Sequence, residues 1–187
     1  MTERLARRLQ RLYRGLRRCM KSQHDRHVAF GDLCTDRWET ARFLGFGEGS
    51  SCYDNVLVLG QVKVGRHTWI GPNVVLDGSG GLEIGDYCSI SAGVQIYTHH
   101  TIAWATSLGQ SQAEHRPTRI GSGVYIGPNT IIAMGVNIGD RTVIGAMSLV
   151  NRNIPPWSRA WGVPARLVES QANPPASATP PNIESAP

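Results

Sequence analysis

Aliphatic residues recur every six positions over most of this chain: Val58, Val64, Ile70, Leu76; then Ile84, Ile90, Ile96; then Ile120, Ile126, Ile132, Ile138, Ile144, Val150. A helix needs a period of 3.6 and a simple strand a period of two, so neither governs this region. A fixed repeat of this kind marks a solenoid. Two residues before the aliphatic stands a small or β-branched residue (Thr68, Val74, Val94, Val124, Thr130, Val136, Thr142, Ser148). After it, most repeats have a glycine or alanine, as at Gly65, Gly71, Gly121, Gly127 and Ala133. The pattern predicts a triangular coil in which each hexad supplies one short strand and one corner, three hexads making a turn. The aliphatic points inward and stacks on its counterpart in the next coil, so parallel strands surround a column of Ile and Val. The glycine that follows is expected to turn the corner at positive φ, where a Cβ is penalised. A β-sandwich with coincidental spacing does not account for six consecutive in-register positions from 120 to 150.

Two interruptions break the register. Two extra residues fall between Leu76 and Ile84, in DGSGG, and the pattern vanishes over 97–119. The second segment carries His99, His100, Trp104 and His115. Long departures from a regular scaffold are where function concentrates. Ahead of the repeats, Leu5, Leu9, Leu12 and Leu16 alternate by four and three with arginines between them, which predicts an amphipathic helix over 3–21 with Thr2 as N-cap. The expected layout is a basic helix and connector over 1–55, the β-helix over 56–168 and a proline-rich, disordered tail over 169–187. One buried domain suits a chain of 187 residues.

The net charge of +5 is unevenly held. Residues 1–21 contain seven arginines and Lys21 against Glu3, so this leader carries +7 and the remaining 166 residues carry −2. A nucleic-acid surface across the whole fold is therefore not expected. The leader suits an anionic membrane surface, arginines toward the headgroups and leucines buried. Packing on the solenoid or between copies is the alternative. Cys19, Cys34, Cys52 and Cys88 are too dispersed for a disulfide framework and read as free thiols. No apolar run approaches the ~20 residues of a membrane span, and no signal-peptide core is present. The expected location is cytoplasmic, with the leader peripheral on the membrane.

The run IGSGVYIGPNTIIAMGVNIGDRTVIGAMSLVNRNIPPWSRAWGVPARLV closely resembles the C-terminal half of hexapeptide-repeat O- and N-acetyltransferases. IPPWSRAWGVPAR looks like the closing signature of that family, and GLEIGDYCSISAGVQIYTHH resembles its approach to the catalytic histidine. The resemblance covers residues 56–168 and implies a left-handed parallel β-helix, a hand the period alone does not give, since parallel crossovers are normally right-handed. It also implies a homotrimer, with acetyl-CoA in a groove between neighbouring coils of two subunits. Two positions depart from the family pattern: Met147 makes GAMS of the frequent GAGS, and Trp161 replaces a usual small residue before GVPA.

Acetyl transfer from a thioester needs a base for the acceptor proton, donors for the oxyanion, and both substrates held together. No Ser-His-Asp or Cys-His signature is present, so direct attack in a ternary complex is the simpler expectation. Histidine, with an ordinary pKa of ~6.5, is the natural base. The family motif IYTH points to His99, with His100 as the alternate. Asp77, in VVLDGSG, resembles an acidic position that contacts acceptor or histidine in related enzymes; a plain turn aspartate is the other reading. Trp104 and Glu114 are candidates to line the acceptor site. Arg152 and Arg166 match basic residues of the closing segment that would hold the CoA phosphates, and Ala133, Gly145 and Ala146 would let the pantetheine arm lie against backbone. The resemblance implies acetyl-CoA as donor and no metal. Its expected acceptor is a sugar or sugar nucleotide, taking the acetyl group on a hydroxyl or amine, as in polysaccharide biosynthesis. A γ-class carbonic anhydrase spaces two zinc-ligand histidines with four residues between, but five beyond His99 and His100 stand Trp104 and Ala105. A serine acetyltransferase carries a histidine directly after an LD like Leu76-Asp77, where this chain has Gly78. A catalytically silent scaffold is the remaining alternative.

Overall fold

A computed structural model of the chain describes residues 3–170, apart from the side chains of Glu169 and Ser170; Thr2 and the expected tail beyond Ser170 lie outside the described residues. Its body is a parallel β-helix of about six coils. The first face stacks Ser51–Cys52, Trp69–Ile70, Ser89–Ile90, Tyr125–Ile126, Val143–Ile144 and Ser158–Gly162, and the antiparallel strand Ala165–Ser170 closes it. On the second face Val58, Leu76, Ile96, Ile132 and Val150 lie in register. On the third, Val64, Ile84, Ile120 and Ile138 do so, and Ile154 bridges to Ile138. Each hexad aliphatic therefore meets its counterpart one coil away, and Ile70, Ile96, Ile126, Ile132, Ile144 and Val150 are fully buried.

The residue two before each aliphatic also faces inward. Val74, Val94 and Val124 thicken the apolar column, and the hydroxyls in the same row find carbonyls: Thr68 Oγ1 donates to Gly85 O (2.8 Å) and Thr130 Oγ1 to Gly145 O (2.9 Å). A buried hydroxyl without such a partner would be costly, which is why the Thr hydroxyls of this row turn to carbonyls. Cys88 lies in this row and Cys52 at an aliphatic position, both as small core fillers. Burial, reinforced by Asp32 and Asp54, pushes the Cys52 thiol up to about 12.

The corners correct one expectation. The glycine directly after the aliphatic does not carry the positive φ. That conformation falls two residues later, at His67, Asn73, Tyr87, Asn129, Arg141, Met147 and Trp157, with Gly93, Gly123 and Gly135 at the same position in other coils. The first glycine is required by the closeness of the next coil: a Cβ on Gly127 would stand 2.5 Å from the Ala146 nitrogen.

Three further differences lie toward the ends. The solenoid starts before residue 56, because Ser51–Cys52 already pairs with Trp69–Ile70 and Gly47 N donates to Val64 O (2.9 Å). Between the leader and this strand, Phe30–Cys34 and Arg37–Phe43 are short helices, the second capped by Asp36, whose carboxylate accepts from Trp38 N (2.8 Å). The closing strand runs through Ser170, so the first two residues of the expected tail are in a strand. The leader helix spans Glu3–His24 and buries no residue. It touches the short helix Phe30–Cys34 through Tyr13, whose ring meets Phe30 edge-on at 5.7 Å.

Candidate active site

The corner between the second and third faces is where the scaffold loses its regularity. In the second coil the chain passes through Asp77-Gly78-Ser79-Gly80-Gly81 inside the long strand Val75–Ile84. In the third coil it leaves the scaffold after Thr98, forms the short strand His99–His100 and the single helical turn Ile102–Thr106, and returns through Glu114–His115. The two short strands pair antiparallel, His99 opposite His115 and His100 opposite Glu114.

Asp77 is fully buried, yet its carboxylate is not stranded. Oδ1 accepts from Ser79 N (3.1 Å), and Oδ2 accepts from Thr98 N (2.8 Å) and His99 N (3.1 Å). Oδ2 also lies 2.6 Å from His99 Nδ1. Burial alone would raise the carboxyl pKa, but these bonds from Ser79, Thr98 and His99 outweigh it and hold the group well below the usual carboxylate range. An ionised carboxylate can only accept, so the proton between the two side chains belongs to Nδ1. In the neutral imidazole, Nε2 of His99 is then the acceptor nitrogen, on a side chain 29% exposed. The arrangement can take a proton from a bound group and stabilise the resulting imidazolium.

Asp77 thus turns to the histidine, and its burial removes it from contact with an acceptor. His100 faces Glu114, with Nε2 3.9 Å from Oε2, and its Nδ1 is buried without a partner. Trp104 is half-exposed in the helical turn, its ring over Gly109. Among the residues expected to meet CoA, Ala133 and Arg152 share the edge of His99: Ala133 follows Ile132 and Arg152 lies two residues after Val150, the register partners of Ile96. One coil step is about 4.8 Å, so Arg152 is about 10 Å along the axis from the His99 coil. Gly145 and Ala146 lie on another edge, after the first face, and the Trp161 side chain covers Gly145. Arg166 belongs to the closing strand, paired opposite Trp161. One copy does not bring these five together.

Two residues to which the sequence assigned no role support the site. Thr98 is buried and locks the site, its Oγ1 donating to Asp77 O and accepting from Gly80 N, both at 2.8 Å. His115 stacks on His99, centroids 5.6 Å apart and planes 20° from parallel. Thr98 stands two residues beyond Ile96, which marked it as part of the corner; nothing in the sequence marked the stack. Among the described residues, no three His, Cys, Asp or Glu side chains gather as metal ligands.

Residues 117–152 match the family described as bacterial transferase hexapeptide (six repeats), and residues 61–98 match the hexapeptide repeat of succinyl-transferase. Galactoside O-acetyltransferase of Escherichia coli (strain K12) is 33% identical over 109 residues, which is 58% of this chain and 53% of that protein. Serine acetyltransferase of the same strain is 33% identical over 115 residues, 62% of this chain and 41% of that protein. The chain spans about half the length of the curated relatives it matches. A hexapeptide-repeat containing acetyltransferase from Vibrio cholerae O1 biovar eltor, solved with acetyl coenzyme A, has a TM-score of 0.66 at 26% identity, covering 87% of this chain and 89% of that one. Repeats, coil register and these likenesses agree: the chain carries the hexapeptide repeats of bacterial transferases and is similar to hexapeptide-repeat acetyltransferases.

Proposed function

We propose that this protein moves an acetyl group from acetyl-CoA to a hydroxyl or amine of a sugar-like acceptor, with His99 as general base. The observation that carries the reading is the 2.6 Å contact between His99 Nδ1 and the buried Asp77. The acceptor oxygen or nitrogen attacks the thioester carbonyl as His99 Nε2 takes its proton. The tetrahedral intermediate then collapses, the C–S bond breaks, and the CoA thiolate leaves with the proton returned by the imidazolium. Asp77 stays ionised throughout and offsets the imidazolium charge.

Acetyl-CoA is a substrate here, and its phosphates call for cations. Arg152 is exposed and makes no ion pair with a described residue, while Arg166 donates to Ala165 O at 3.2 Å. Because Ala133 and Arg152 lie on one edge and Gly145, Ala146 and Arg166 elsewhere, a groove using all five takes its second wall from another copy. A homotrimer suits the faces. The outward row of the second face is Leu57, Val75, Gln95, Ile131 and Leu149. The third face carries Lys63 and Arg119 paired to Glu83. Apolar rows of this kind are covered by association.

The leader completes the reading as a peripheral membrane contact. Leu5, Leu9 and Leu12 remain about half exposed along one side. On the other, Arg14, Arg17, Arg18 and Lys21 join Arg26 and His27 around a cleft of about 670 Å³. No helix among the described residues is long and apolar enough to cross a membrane. Serine is disfavoured as acceptor by position 78, where any side chain would stand 2.3 Å from Gln61 O, so the histidine of the serine enzymes has no room. A CoA-release assay over sugars, nucleotide sugars, amines and serine tests the whole. Turnover with a sugar-type acceptor is expected, and turnover with serine alone would contradict it.

A further inference from the structure

We propose that His115 is a positioning residue for His99, supporting one face of its ring so that Nε2 stays aimed at the acceptor proton. This rests on the reading of His99 as the base. A hydrogen bond at one ring atom fixes where Nδ1 sits but leaves the imidazole free to rock about the line from Nδ1 to Asp77 Oδ2. A flat partner against the ring removes that freedom. The structure supplies one: His115 is directly opposite His99 in the antiparallel pair, and opposite residues in such a pair share a face of the ribbon. Their rings lie 5.6 Å apart and 20° from parallel, within the range of a stacked aromatic pair.

The strand that delivers His115 is tied to the same backbone that sets His99. Arg116 N donates to Thr98 O (2.8 Å), and Thr118 Oγ1 donates to Tyr97 O (2.8 Å). The other side chains of the pair are engaged elsewhere, His100 with Glu114 and Glu114 with Arg116 at 3.3 Å. What the geometry asks of His115 is a flat ring in a fixed place, without proton transfer or charge. A planar apolar ring should therefore serve nearly as well, and a methyl group should not.

The experiment compares His115→Ala, His115→Phe and His99→Ala by steady-state kinetics, alongside thermal melting of each variant. His115→Ala should lower kcat about 10-fold, since small misplacements of a catalytic group are costly, and leave the melting temperature near the parent value. The KM for acetyl-CoA should stay within about twofold, because ground-state binding is not touched. His115→Phe should recover most of the lost kcat. Parental kcat in His115→Ala overturns the inference, as does a Phe variant no better than Ala, or a kcat loss matched by falling stability and rising KM. If His99→Ala is itself active, the base reading falls and this inference with it. If His99→Ala is inactive while His115→Ala is unimpaired, only this inference fails.

Discussion

His99 Nδ1 and Asp77 Oδ2 meet at 2.6 Å across one coil step, joining a side chain at the root of the excursion to a carboxylate sealed in the preceding coil. The pair exists because the two extra residues after Leu76 open the corner just where the next coil departs from the solenoid. Asp77→Asn keeps the volume but removes the obligatory acceptor for Nδ1–H, so the histidine loses both its tautomer and the counter-charge for its imidazolium. The expected loss in kcat is ~10²–10⁴ with little change in the acetyl-CoA KM, read from initial rates of CoA release.

The same carboxylate makes stability depend on pH. Its folded-state pKa lies below the unfolded value, so the unfolded chain binds the extra proton and acid favours unfolding. The contribution is fully present above the ordinary carboxylate range, near pH 4, and is lost as pH falls through and below it. Melting temperatures from pH 7 down to pH 3 should therefore drop more steeply for the parent protein than for Asp77→Asn. Parallel curves would show that Asp77 is not the group held ionised.

The corners yield a paired test of packing against backbone conformation. Gly127→Ala places a Cβ 2.5 Å from the Ala146 nitrogen and should cost about 1–3 kcal/mol, as overpacking does. Met147→Gly, at a φ of 57°, relieves a left-handed conformation and should leave stability unchanged or raise it by less than about 1 kcal/mol. Thermal melting of the two variants checks both signs.

The inward column was legible in the sequence because a strict six-residue period admits few folds, and every aliphatic from Ile70 to Val150 took the predicted inward position. The role of the corner glycines was not, since a sequence does not distinguish a glycine needed for positive φ from one needed for a close neighbour. Cys52, six before Val58, and Phe46, six before that, continue the register into what looked like connector; a thiol and an aromatic ring hid it. The helix Arg37–Phe43 had a local signal in Asp36 followed by Glu39, the spacing of a capping box. At the site, Asp77 and His99 were found through resemblance, whereas the stack of His115 on His99 depends on how the two ends of a long excursion meet. No local pattern encodes that.

The leader can be removed without touching the solenoid, since no residue of Glu3–His24 is buried. Deleting residues 1–24 should abolish binding to anionic vesicles while preserving turnover of a soluble acceptor, each cation near such a surface being worth ~1 kcal/mol. Vesicle co-sedimentation reads the first and CoA release the second. A truncated protein that still sediments with anionic vesicles would contradict the assignment of the leader to the membrane.

The central claim is that His99, and not its neighbour, takes the acceptor proton, and the most direct measurement is kcat for His99→Ala beside His100→Ala. The account predicts a loss of ~10²–10⁴ for His99→Ala at an acetyl-CoA KM near the parent value, the usual worth of a positioned general base. His100→Ala, which removes a ring facing Glu114, should be by far the more active of the two. A more active His99→Ala, or two variants that both turn over at the parent rate, would contradict it.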